Sequence, residues 1–141
     1  MKTSKATGCR FLLDTNICIY IIKRRIPSVL AKLKAIGLEK VAVSTVTIGE
    51  MEFGLHKSNT PLTSREAMIQ FLLGPEIIEY DVNDAVEYGR IRAFLESKGT
   101  PIGPYDMQLA AQAIARNMIF VTNNEREFLR VPGLKVQNWA K

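Results

Sequence analysis

Short apolar runs alternate along this chain with longer segments of helical period. Arg10 to Leu13 predicts a first strand, and from about Thr15 the apolar residues fall at helical spacing until the basic cluster Lys23-Arg24-Arg25. Pro27 suits the first turn of a helix running through Ile36, and Gly37 is placed to stop it. Val41 to Ser44 predicts a second strand, followed by a helix over Thr45 to Lys57 with Val46, Gly49 and Phe53 three and four apart. Asn59 to Ser64 has loop composition, and Thr63 or Ser64 would cap an amphipathic segment carrying Ala67, Met68, Phe71 and Leu72, which Gly74-Pro75 ends. A third strand is expected over Ile77 to Tyr80, then a helix from Asn83 with Val86, Ile91, Phe94 and Leu95 on its apolar face, closed by Gly99. A helix from about Tyr105 to Arg116 leads into a fourth strand, Met118 to Val121. A short helix around Glu125 to Leu129 and an edge strand near Val136 complete the pattern.

Such alternation predicts an α/β fold: a mainly parallel sheet of four to five strands with helices on both faces, a three-layer α/β/α sandwich. At 141 residues and 47% hydrophobic content, residues 1–141 form one domain with a single core, with no internal repeat or low-complexity tract to divide it. Cys9 and Cys18 make neither a disulfide framework nor a CxxC metal pair, and Cys18 lies in an apolar stretch where a small buried side chain fits. The polar, basic start lacks the apolar region of a secretory signal, and no apolar run reaches the ~18 residues of a membrane span. A cytoplasmic protein with no membrane partner is expected.

In a parallel sheet, strand carboxyl ends and the helix starts after them converge on one edge, where such folds bind ligands. Four positions fall there: Asp14 after the first strand, Glu50 in the helix after the second, Asp106 after the stiff loop Pro101-Ile102-Gly103-Pro104-Tyr105, and Asn124 after the fourth strand. Each has an ordinary structural use as well. Asp14 can cap a helix, Asp106 gains from a helix N-terminus, Asn124 suits a turn, and Glu50 could be a solvated surface residue. Glu50 and Glu52 project about 200° apart on a helix, so only one faces the sheet edge, and Phe53, three residues on, suggests that Glu50 shares the inward side. Asn16 stands where a nucleophilic-aspartate phosphatase would carry the second Asp of its Asp-x-Asp-x-Thr motif, which argues against that chemistry.

Carboxylates gathered within ligand distance repel unless a cation joins them or a proton is taken up. An oxygen-only set selects Mg²⁺, or Mn²⁺, over zinc. His56, the only histidine, reads as a surface helix residue rather than a general base, so proton transfer would fall to metal-activated water, as in phosphodiester hydrolysis. The net charge of +5, from 19 Lys and Arg against 14 Asp and Glu, adds a modest argument for a polyanionic partner. Lys23, Arg24, Arg25, Arg90, Arg92, Arg126 and Arg130 are candidate backbone contacts, Arg126 foremost because it adjoins Asn124, and Tyr105 could stack on a splayed base.

The motifs Leu13-Asp14-Thr15-Asn16-Ile17-Cys18-Ile19, Ser44-Thr45-Val46-Thr47 through Glu50 with Gly54 and Lys57-Ser58, Pro101-Ile102-Gly103-Pro104-Tyr105-Asp106, and Val121-Thr122-Asn123-Asn124 with Arg126-Glu127-Phe128 occur in this order. Together they resemble the PIN domain, and within it the VapC-type toxins of bacterial toxin–antitoxin pairs, over nearly the whole chain. The resemblance implies a Mg²⁺-dependent endoribonuclease with Asp14, Glu50 and Asp106 as an acidic metal triad, Asp14 and Asp106 foremost as direct ligands. Members often carry Asp where this chain has Asn124, which leaves the choice between one metal and two open. Asn124 would orient a ligand or water, with Glu127, Thr122 and Asn16 as possible supports. It further implies a homodimer, neutralisation by a cognate VapB-type antitoxin, and cleavage of structured RNA such as tRNA. The alternative is a non-catalytic RNA-binding module that keeps the fold and basic surface without turnover.

Overall fold

The computed structural model describes residues 8–141. Its elements in chain order are β1 (Phe11–Leu13), α1 (Thr15–Lys23), α2 (Pro27–Ile36), a 3₁₀ turn (Leu38–Lys40), β2 (Val41–Ser44), α3 (Thr45–His56), α4 (Pro61–Leu72), β3 (Glu76–Ile78), α5 (Val82–Ser97), α6 (Pro104–Ala115), β4 (Ile119–Val121), α7 (Glu125–Phe128) and β5 (Lys135–Gln137). The five strands form one sheet, every pair parallel, in the order β3-β2-β1-β4-β5. Among the described residues, no helix is long and apolar enough to cross a membrane.

Strand alternation divides the core in two. Leu12, Ala42, Ile78 and Phe120 face α5 and α6, while Phe11, Leu13, Val41, Val43 and Val121 face α1 to α4. This is the three-layer α/β/α sandwich. From β1 the chain first builds outward through β2 and β3, then crosses back to place β4 on the other side of β1. The order therefore reverses at β1 and β4, and the crevice beyond their carboxyl ends is where an open parallel sheet binds ligands.

Several local expectations are corrected. α4 begins at Pro61 rather than after Thr63 or Ser64, because proline at a first helical position loses no hydrogen bond; Thr60 precedes it and makes no side-chain cap. β3 stops at Ile78 instead of reaching Tyr80. Asp81 there starts α5 through a capping box, its side chain accepting from Asp84 N–H while that of Asp84 accepts from Asp81 N–H at 2.8 Å. α5 does not bury the face expected of it. Ile91 and Leu95 are buried, but Val86 and Phe94 are exposed and the third fully buried residue is the acid Asp84.

Candidate active site

Asp14 is the residue where β1 ends and α1 begins. Its backbone N–H donates to Val121 O at 2.9 Å, pinning it to the neighbouring strand β4. The residue is 5% exposed: Oδ1 accepts from Thr15 N–H at 2.7 Å, and Oδ2 accepts from the Thr122 hydroxyl at 2.7 Å. Thr122 is itself buried just past β4. Helix capping and membership of an acidic cluster are thus both properties of Asp14.

Glu50 lies in the second turn of α3, which starts sharply because Ser44, ending β2, accepts from Val46 N–H at 2.9 Å. Glu50 accepts a short hydrogen bond from the Thr15 hydroxyl, which also contacts the Thr47 hydroxyl at 3.0 Å. Glu52, on the other side of the helix, takes both terminal guanidinium nitrogens of Arg65 in α4, at 2.7 and 2.8 Å. Phe53 does not mark an inward face, being 65% exposed.

Asp106 occupies the first turn of α6, whose buried Ala110, Ala111 and Ala113 let the helix lie close on the sheet. Gly103 precedes that helix, and a Cβ there would stand 3.3 Å from Asp106 Oδ2, so the bare glycine leaves the carboxylate its place. Asn124 opens α7. Its N–H donates to Thr122 Oγ1 at 3.0 Å and its Nδ2 to Glu127 Oε1 at 3.0 Å, which links Asp14, Thr122, Asn124 and Glu127 in one chain of hydrogen bonds. Buried Phe128, its ring 4.6 Å from that of Phe120, anchors this four-residue helix and so fixes Glu127.

The acids perturb one another. Burial raises the Asp14 carboxyl above its ordinary value, the bonds from Thr122 and Thr15 oppose this, and the charge of Glu50 adds to it. Asp106 is pushed up to about 6, first by burial, then by the charges of Asp14, Glu50 and Glu127. A helix N-terminus favours a carboxylate by only about 0.3–1 kcal/mol, less than one decade of acidity, so repulsion and burial win. Among the described residues none of these four acids is paired with Lys or Arg. Nor do any three Asp, Glu, His or Cys side chains there stand close enough to close around one ion.

The other candidates divide. Thr122 is part of the site; Asn16 is exposed on α1 and bonds to none of the acids. Arg126 is exposed on α7 without an ion pair among the described residues, whereas Arg90 and Arg92 pair with Glu87 and Glu96, and Arg130 donates to Pro101 O. Tyr105, 56% exposed, lines a cleft beside Glu50 with Phe53 and Gln108. Thr47 and Gln108 were not anticipated at the site. Their signal is weak in sequence, since each matters only through the packing of α3 against α1 and α6.

Residues 11–134, all the elements that carry this cluster, match the PIN domain family. The chain belongs to the PIN-domain family. Its relatives there are VapC ribonucleases. The tRNA(fMet)-specific endonuclease VapC of Salmonella typhimurium is 38% identical over 131 residues, which cover 93% of this chain and 98% of that protein. Ribonuclease VapC2 of Rickettsia felis is 36% identical over 132 residues with the same coverages. A chain in the crystal structure of DNA-bound VapBC from Salmonella typhimurium superposes with a TM-score of 0.88 at 37% identity, covering 93% of this chain and 98% of that one. In this PIN domain the four acids stand where the strand order reverses.

Proposed function

We propose that this PIN domain is a Mg²⁺-dependent endoribonuclease, the toxin of a toxin–antitoxin pair, that hydrolyses a phosphodiester bond of structured RNA at the Asp14, Glu50, Asp106 and Glu127 cluster. The observation that carries the reading is the convergence of four acids without a cationic partner, two of them with acidities weakened by burial and mutual repulsion. Mg²⁺ retains several waters and needs only one or two carboxylates from a protein, so an open set with Asp14 and Asp106 as the direct ligands suits it, and Mn²⁺ would substitute. The ion would supply the positive charge and Lewis acidity that phosphodiester hydrolysis requires. Thr122 and Thr15 orient the Asp14 carboxylate and partly offset the effect of burial on it, and Thr15 holds Glu50 beside it. Asn124 fixes Glu127, which provides the negative charge that the amide at 124 lacks. This favours a working nuclease over a module that only binds RNA.

Relatives named for tRNA(fMet) make tRNA the first RNA to test. The VapBC complexes among its structural neighbours support a cognate VapB-type antitoxin as partner. A homodimer fits the apolar side chains that α5 leaves in solvent, Val82 at 78% and Val86 at 67% exposure. The purified protein is expected to cut tRNA with Mg²⁺ or Mn²⁺ and to stop when EDTA is added. Equal cutting with and without EDTA would overturn the reading.

Metal and protons should compete. Because Asp106 is shifted upward, its contribution to stability in the metal-free protein is complete below the ordinary carboxylate range and is lost as pH rises through about 6. Metal binding needs the ionised form, so the stabilisation by Mg²⁺ has the opposite slope. Saturating Mg²⁺ is expected to raise the thermal midpoint clearly above about pH 7 and hardly at all below about pH 5. Differential scanning fluorimetry across that range checks this; a shift of the same size at both ends would contradict it.

A further inference from the structure

A cleft of about 730 Å³ opens between α3 and the start of α6, walled by Val46, Phe53, Tyr105 and Gln108, and it shares Thr15 and Glu50 with the acidic cluster. Phe53 and Tyr105 are 65% and 56% exposed, so neither ring is there to fill the core. Lys57 Nζ stands 5.1 Å from the centroid of the Phe53 ring, placing a positive charge beside one wall. Among the described residues no hydrogen bond engages the Gln108 amide, which keeps both donor and acceptor available. Aromatic faces, a neutral amide and a cation, with no acid except Glu50 at the edge, match an unstacked nucleobase better than a phosphate. Shared Thr15 and Glu50 put the cleft within reach of a nucleotide next to one whose phosphate meets Asp14 and Asp106.

We propose that the cleft holds the unpaired base next to the scissile phosphate, stacked on Tyr105 and Phe53 with its edge read by Gln108. This rests on the nuclease reading and adds the reason for selectivity. A base must leave its helix to enter, so the preferred substrate is a single-stranded loop of the RNA and not a duplex.

The test crosses enzyme and substrate changes. Tyr105→Ala and Phe53→Ala are each expected to lower kcat/KM on intact RNA by about 5- to 150-fold, the worth of one lost base stack, while Tyr105→Phe retains the wild-type value. On RNA lacking only the base beside the cut, the wild type should lose at least that factor, and each Ala variant, which keeps the other ring and Gln108, a smaller further one. Equal losses for the Ala variants on intact and abasic RNA would overturn the proposal. So would a fall in sedimentation mass in either variant, which would assign the rings to contact with a second copy of the chain. Binding of RNA labelled with 2-aminopurine separates this idea from the nuclease reading: quenching that Tyr105→Ala abolishes supports the cleft even where no RNA is cut. Binding without quenching at any labelled position overturns it.

Discussion

Replacing Asp14 by Asn is expected to lower RNA cleavage about 10³-fold or more and, at the same time, to raise the thermal midpoint of the metal-free protein. The size follows from removing a charge that an ion would otherwise meet, a loss of several kcal/mol at about 1.4 kcal/mol per decade. The opposite sign for stability follows from the site itself. Asp14 is buried and repelled by Glu50, so its charged form is costly in the empty site. Asparagine keeps an oxygen for Thr15 N–H, and its Nδ2 can donate to Thr122 once that hydroxyl rotates, so the connection between β1 and β4 survives. Lost activity with gained stability is a combination that simple misfolding cannot produce. Cleavage within about tenfold of wild type would remove Asp14 from the proposed chemistry.

The largest expected loss of stability lies away from the site. Arg116, at the C-terminal end of α6, donates to Glu79 O at 2.8 Å and pairs with Asp84 at 3.0 Å and Asp81 at 3.4 Å, joining the end of α6 to the start of α5. The Asp84 side chain is 1% exposed, and its Oδ1 already has no hydrogen-bond partner among the described residues. Arg116→Met leaves that buried carboxylate only the neutral donors Asp81 N–H and Gln112 Nε2 and no compensating charge, which should cost about 3–5 kcal/mol and lower the midpoint by roughly 10–20 °C. Adding Asp84→Asn should restore part of the loss, because a neutral side chain can still accept from Asp81 N–H. Arg116 lies about 15 Å along α6 from Asp106, so cleavage per folded molecule should not change. A midpoint within a few degrees of wild type would show that Asp81 N–H and Gln112 Nε2 suffice for Asp84 without Arg116.

Asp84 also shows where reading the chain failed. A helix was expected to bury its apolar residues, yet α5 buries an acid and leaves Val86 in water. Hydropathy cannot anticipate this, because what makes a buried carboxylate tolerable is a partner 32 residues away. Pro61 is a different miss. Like Pro27, it occupies a first helical position, but the polar residues around it hide the helix. Phe53, an exposed ring, does not distinguish Glu50 from Glu52; what separates the two acids is Thr15 on one side and Arg65 on the other.

The order of strands and helices, the two-sided burial of the sheet and the positions of Asp14, Asp106 and Asn124 at element ends were set by local pattern. Period and punctuation act over a few residues, so sequence alone carries them. What only the tertiary structure decided is how the acids meet. Reversal of strand order puts Asp14 against Thr122, 108 residues later, and the anchoring of α7 by Phe128 brings Glu127 to bear on Asp106. Repulsion and burial are properties of distance and solvent exclusion, and both come into being only when the chain closes on itself.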